Sequence, residues 1–165
     1  MIKNDLTYAD VSGVLDYDPI TGVFRWRVNR GRGVKAGDVA GSHDSQGYRQ
    51  IGISGRMYLS HRLAFMLMTK AWPVAQIDHI NGVKDDNRWS NLRDVYRGVN
   101  TQNQRKAQKN SKTGLLGASQ DKAGRYQATI KLNGKTRYLG AFNTAEEAHQ
   151  AYLEAKRKLH EGCTL

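Results

Sequence analysis

A chain of 165 residues with 39% hydrophobic content can form one medium domain or two small ones, and it implies no large single core. Its formal net charge of +11 and pI near 9.9 point to a polyanionic partner, nucleic acid ahead of an anionic membrane. The longest apolar run, Leu63 to Met68, is far too short to span a bilayer, and no apolar signal core follows Met1–Asp5, so a cytoplasmic location is expected. Cys163 is the lone cysteine, which excludes an internal disulfide and a cysteine-built zinc site.

In chain order, Thr7 is placed to cap a short helix carrying Val11, Val14 and Leu15 on one face. Asp16 to Gly22 reads as a turn, and Val23 to Val28 alternates as a strand. Gly31, Gly33 and Gly37 then break regularity, with Arg30, Arg32 and Lys35 among them. Tyr48 to Ile53 and Met57 to Leu59 predict a hairpin about Ser54-Gly55, followed by a helix over 60–69 with Ser60 as its cap. Arg105 to Lys112 is polar and basic, lacks apolar periodicity and suits a linker. No acidic residue occurs between Val95 and Gln120, so this stretch reads equally as a phosphate-tracking strap or as a solvated connection.

The informative stretch is Gln76-Ile77-Asp78-His79-Ile80-Asn81-Gly82, then Asn87-Arg88-Trp89-Ser90-Asn91-Leu92, then Asn100. Phosphodiester hydrolysis needs a base to activate water and a cation to stabilise developing charge. A neutral histidine supplies the first near neutral pH, while carboxylate and amide oxygens suit a hard cation. Asp78 and His79 sit side by side, and on a strand they would serve different atoms. An isolated Asp-His pair is more often structural than catalytic; the spacing of His79, Asn91 and Asn100 gives it weight.

This stretch resembles the ββα-metal motif of HNH endonucleases, in the form found in phage and intron-encoded homing enzymes, and His61-Arg62-Leu63-Ala64 resembles the helix that precedes the motif. The resemblance implies His79 as general base, Asp78 and Asn100 as metal ligands, and Asn91 as the asparagine that holds the loop. It implies magnesium or manganese rather than zinc, because the ligands are oxygens. The position before the Asn100 helix is Tyr96 rather than the usual Ser or Thr cap, which leaves Asn103 as a fallback ligand. His61 reads as a buried packing histidine in preference to a catalytic one, and His43 and His149 read as surface residues without partners. His160 reads as part of a helix end.

Beyond Thr113 the pattern changes. Gly117–Gln120, Tyr126–Lys131 and Lys135–Gly140 predict three strands, with an Asn133-Gly134 hairpin turn. Thr144-Ala145-Glu146-Glu147 is a capping box before a helix whose apolar stripe is Ala148, Ala151, Tyr152, Ala155 and Leu159. With Tyr138-Leu139-Gly140-Ala141-Phe142, these landmarks resemble the ethylene-response-factor type of DNA-binding domain, in which the sheet enters the major groove. Strand parity puts Ala128 and Ile130 toward the helix, so Gln127, Thr129, Lys131, Thr136 and Tyr138 face outward, with Lys122 and Arg125 nearby. That family's arginine and tryptophan base readers are mostly replaced here by smaller polar residues.

The expected fold is therefore α+β. A strand-rich N-terminal region leads into a ββα-metal HNH motif, and a C-terminal three-stranded antiparallel sheet packs on one helix. The expected domains are a nuclease with its extension over 1–108, a basic linker over 109–112, and an ethylene-response-factor-like module over 113–165. The expected activity is metal-dependent hydrolysis of double-stranded DNA in a phage or bacterial host cell, without a membrane or any other cofactor. One alternative is a DNA-binding regulator with a degenerate nuclease site. Another is a nuclease for RNA or structured DNA.

Overall fold

A computed structural model describes residues 5–31 and 33–164. Arg32, one of the basic residues of the glycine-rich stretch, lies outside them. The chain divides into two compact units, one ending at Tyr96 and the other beginning at Arg97. Helix and strand are mixed in an α+β arrangement, and among the described residues no helix is long and apolar enough to cross a membrane.

The first unit opens with α1 (Tyr8–Ser12), where Thr7 and Asp10 cap each other's backbone reciprocally. Strands β1 (Leu15–Tyr17) and β2 (Phe24–Trp26) pair antiparallel. The connecting turn is organised by Asp18, whose carboxylate accepts from the Ile20 amide at 2.9 Å and the Thr21 hydroxyl at 2.7 Å. The strand expected over 23–28 is shorter because its backbone donors turn elsewhere: Trp26 N–H bonds Asp38 O and Arg27 N–H bonds Val14 O, both at 2.9 Å.

A second sheet follows, β3 (Ser42–His43), β4 (Arg49–Ile53) and β5 (Arg56–Leu59), in that spatial order. Its β4–β5 turn holds Ser54 and Gly55 at φ 51° and 78°, the left-handed pair that a two-residue hairpin requires. Helix α2 (Ser60–Thr69) starts directly from β5. Ser60 is consequently not the cap. Leu59 occupies that position, and the Ser60 hydroxyl is buried with no hydrogen-bond partner among the described residues. A strand running straight into a helix leaves no turn in which a capping side chain can fold back. Strands β6 (Gln76–His79) and β7 (Leu92–Val95) then pair, placing Asp78 opposite Arg93 and His79 opposite Leu92. Phe24, Ile51, Leu63, Ile77 and Leu92 share one core, so β6 is anchored to the α2 scaffold by the residue before Asp78.

The second unit contains α3 (Arg97–Gln102), β8 (Ala118–Gln120), β9 (Tyr126–Leu132), β10 (Lys135–Phe142) and α4 (Ala145–Leu159). The sheet order is β10-β9-β8, with Asn133 and Gly134 at φ 50° and 79° in the tight turn. Thr144 and Glu147 form the capping box of α4. The core is small, built on Ala118, Ala128 and Ala148, so sheet and helix approach closely. Gly117 shows how closely: a Cβ there would lie 2.0 Å from Tyr152 Cγ. The register shifts between Tyr138 and Gly140, and Leu139 packs on the core at this bulge. Arg105, where the polar basic stretch begins, and the residues just before it are tied into this unit. Gln102 Oε1 accepts from Gly162 N–H and Arg105 Nη2 donates to Thr164 O, both at 2.9 Å, while Lys156 Nζ donates to Gln104 O.

Candidate active site

The β6–β7 connection is a loop closed by its own polar groups. Asn91 Oδ1 accepts from Asn81 N–H at 2.9 Å, and Asn91 Nδ2 donates to Asp86 O at 2.7 Å. One buried carboxamide thus spans both ends of the turn, with Ile80 N–H bonding Asn91 O as well. Asp86 accepts from Asn81 Nδ2 at 2.6 Å and pairs with Arg88, whose guanidinium holds its carboxyl down near 2. Such a loop is rigid because its ties close short rings.

His79 ends β6 with 5% of its surface exposed. Its Nε2 lies 3.4 Å from Asn87 Oδ1. Its ring stands edge-on to His61 at 5.1 Å between centroids, with Tyr48 6.0 Å away. Burial pushes the His79 pKa below the usual histidine value, against the pull of Asn87 and Asp78. Burial, reinforced by the neighbouring His79, takes His61 down to about 3. Both rings are therefore neutral at pH 7, and His79 is in the form that can accept a proton. Asp78, also buried, accepts from Arg93 Nε at 3.0 Å and Nη2 at 2.7 Å through one oxygen.

Asp78, His79 and Asn91 are thus brought together on one hairpin. Asn100 lies half-buried on α3, within the second unit, and the fallback Asn103 is buried in the turn just after that helix. His61 is a core residue and at the same time the wall against which His79 stands. Tyr48 and Asn87 are neighbours of His79 that sequence reasoning missed. Asn87 lay within the quoted motif, whereas nothing in the pattern around Tyr48 distinguishes it from any half-buried strand residue.

The fold gives partners to both histidines read as lacking them: His43 stays exposed as expected, whereas His149 does not. His43 Nε2 lies 2.8 Å from Asp85 Oδ2, where Arg49 Nε also donates to Oδ1 at 2.9 Å. The β3–β4 strands thereby grip the loop that carries Asp85, a contact between residues too far apart in sequence to be foreseen. His149 is half-buried, its Nδ1 2.7 Å from Leu116 O and its ring stacked on Tyr152. His160 caps the end of α4, as its position implied, and its Nε2 meets Lys131 O at 2.9 Å.

On the second unit's sheet, cross-strand partners share a face. Register pairs Lys131 with Thr136, Thr129 with Tyr138, and Gln127 with Ser119. Lys131, Thr136 and Tyr138 are exposed, and Gln127 and Thr129 are half-exposed, while Ala128 and Ile130 are buried beneath α4. Lys122 is exposed in the β8–β9 turn, and Arg125 pairs with Asp121 at 3.3 Å. A hollow of about 410 Å³ is lined by Thr129, Lys131 and Thr136 from this face and by Gln104, Asn110 and Ser111 from the acid-free stretch.

A family model described as HNH endonuclease matches residues 58–102. The match covers α2, the β6–β7 hairpin and α3, so it contains His61, Asp78, His79, Asn91 and Asn100. It supports a nuclease acting on DNA as the class of protein. No curated protein and no solved structure matches the chain.

Proposed function

We propose that the protein is a metal-dependent endonuclease that hydrolyses phosphodiester bonds of double-stranded DNA, of the homing type. The observation that carries the reading is a buried His79 adjoining Asp78 at the end of β6, within the stretch similar to HNH endonucleases. His79 takes the proton from the attacking water. Asn91 keeps the loop closed, so the imidazole is presented at a fixed angle. His61 and Tyr48 form a wall around it that adds no charge and limits water.

Asp78 and Asn100 would hold the cation. Among the described residues, no group of three or more His, Cys, Asp or Glu side chains is placed to ligate a metal. One carboxylate and one amide fit a hard ion that keeps several waters and accepts phosphate oxygens, which describes magnesium or manganese. When bound, such an ion supplies charge stabilisation for the phosphate and the leaving oxygen. Arg93 neutralises Asp78 and fixes its orientation across the β6–β7 pair.

The sheet of the second unit is proposed to bind duplex DNA in the manner of the ethylene-response-factor fold. Gln127, Thr129, Thr136 and Tyr138 would lie along the groove, with Lys122, Arg125 and Lys131 near phosphates. The exposed polar face on the side of the sheet opposite α4 supports this reading. The test is cleavage of supercoiled plasmid by the purified chain with magnesium, with manganese and with EDTA. Conversion in metal and none in chelator is expected. Full conversion in EDTA would overturn the proposal, and binding without cleavage in any metal would favour a regulator.

A further inference from the structure

The loop between β1 and β2 grips the chain at Asn87–Trp89. Tyr17 Oη donates to Asn87 O at 2.7 Å, and Trp89 N–H donates to Pro19 O at 3.0 Å. Gly22, at φ +75°, lies so near that a Cβ would sit 2.5 Å from Arg88 N and 2.6 Å from Asn87 C. The Asn87 backbone is therefore seated from outside the motif, and its side chain is 1% exposed.

That side chain has one orientation open to it. Asn87 Nδ2 donates to Asp85 O at 3.1 Å. Turned over, the carboxamide would set its oxygen against the Asp85 carbonyl, two acceptors facing each other. The oxygen is thus the atom directed at His79 Nε2, 3.4 Å away. An acceptor at Nε2 requires the proton there, which puts the ring's lone pair on Nδ1. The separation is long for a hydrogen bond in the resting site, and such bonds commonly tighten when substrate is seated.

We infer that Asn87, seated by Tyr17 and Gly22, is a positioning residue that holds His79 as the Nε2–H tautomer. The inference rests on the reading of His79 as the base in giving the tautomer a catalytic purpose: Nδ1 is then the nitrogen that takes the proton from water. It also assigns a task to the N-terminal hairpin, which is to set the tautomer of a histidine more than fifty residues later in the chain.

The test needs no metal and no turnover. Long-range proton–nitrogen correlation spectra of the uniformly ¹⁵N-labelled full chain distinguish Nε2–H from Nδ1–H histidine, with the His79 signals assigned by their loss in His79→Gln. The wild type at pH 8 is expected to show His79 as Nε2–H. Asn87→Leu should shift His79 toward a mixture of tautomers and lower kcat roughly 10- to 100-fold, the usual cost of losing such an outer partner, with KM little changed. Asn87→Asp retains an acceptor and should retain the Nε2–H pattern. Tyr17→Phe, a milder change that leaves the carboxamide in place, should lower kcat by a smaller factor in the same direction. An Nδ1–H signature in the wild type overturns the inference, even if the variants do not fold, and so does an unchanged tautomer in folded Asn87→Leu. Failure of the nuclease reading shows separately, as wild-type protein that does not cleave plasmid in magnesium.

Discussion

The two units spend their polar residues in opposite ways. In the first, Asn91, Asn87, Asp86 and Asp85 are turned onto neighbouring backbone, guanidinium or imidazole groups, and the product is one fixed histidine. In the second, the core between sheet and helix is apolar, built on Ala118, Ala128 and Ala148 with Leu139 and Phe142 against them, and Lys131, Thr136 and Tyr138 on the sheet face outward. A site that must place a reacting atom needs every supporting group tied down. A surface that must lie along a polyanion needs a firm base and free polar ends. The comparison implies that damage to the β6–β7 loop should appear in rate and damage to the second unit's sheet in affinity.

The sharpest break of that contrast is His79→Ala. Cleavage should fall by roughly 10²- to 10⁴-fold, the contribution of a general base, with DNA affinity nearly unchanged. Single-turnover nicking and a gel-shift titration on one duplex measure both. Parallel loss of rate and affinity would mean that His79 binds rather than catalyses.

A paired glycine experiment tests the division more directly. Gly22→Ala and Gly117→Ala both place a Cβ in left-handed backbone against fixed atoms, at 2.5 Å from Arg88 N and 2.0 Å from Tyr152 Cγ. Left-handed strain alone costs about 1–2 kcal/mol. Both should lower the unfolding midpoint. At saturating DNA, Gly22→Ala should lose rate, whereas Gly117→Ala should weaken binding. Identical profiles for the two would erase the distinction between the units.

Acid should separate the units next. His61, held at about 3 in the folded chain against an ordinary 6.5, binds its proton more readily when unfolded. The stability from its burial is complete above pH 6.5 and is lost as pH falls from there toward 3, with a slope of up to ~1.4 kcal/mol per pH unit. Denaturant melts at pH 7 and pH 5 should show the first unit weakening more. The variant His61→Phe should flatten that dependence.

Smaller effects belong to the surface. Lys131→Ala should weaken DNA binding uniformly across sequences and reduce the salt slope by about 1 if Lys131 meets a phosphate. An unchanged slope would remove Lys131 from the interface. Smallest of all, Thr144→Ala removes the α4 cap and should cost ~1 kcal/mol of stability, with no change in single-turnover cleavage by folded protein.

Local chemistry made much of this readable in advance. The Thr7 and Thr144 caps, the Ser54-Gly55 and Asn133-Gly134 turns and the alternation of Ala128 and Ile130 depend on neighbours within a few residues. Asp78, His79 and Asn91 were singled out by their resemblance to the HNH motif, and the β6–β7 hairpin brings the three together. Ser60 was misjudged because a cap requires a turn before the helix, and here a strand fills that place. Residues 102–105 could not be assigned from composition, because what holds them is the distant Lys156, Gly162 and Thr164.

By itself the sequence determined the β4–β5 and β9–β10 hairpins, helices α2 and α4, the similarity to HNH nucleases and the polar face of the second sheet, since periodicity, turn residues and motif spacing are properties of nearby positions. Leu15–Tyr17, read as helix face and turn, instead became β1 by pairing with Phe24–Trp26. Tertiary structure alone decided that His61 stands against His79, that His43 and Arg49 hold Asp85, and that Tyr17 and Gly22 seat Asn87. Those contacts join residues tens of positions apart, and their partners are chosen by the folding of the chain.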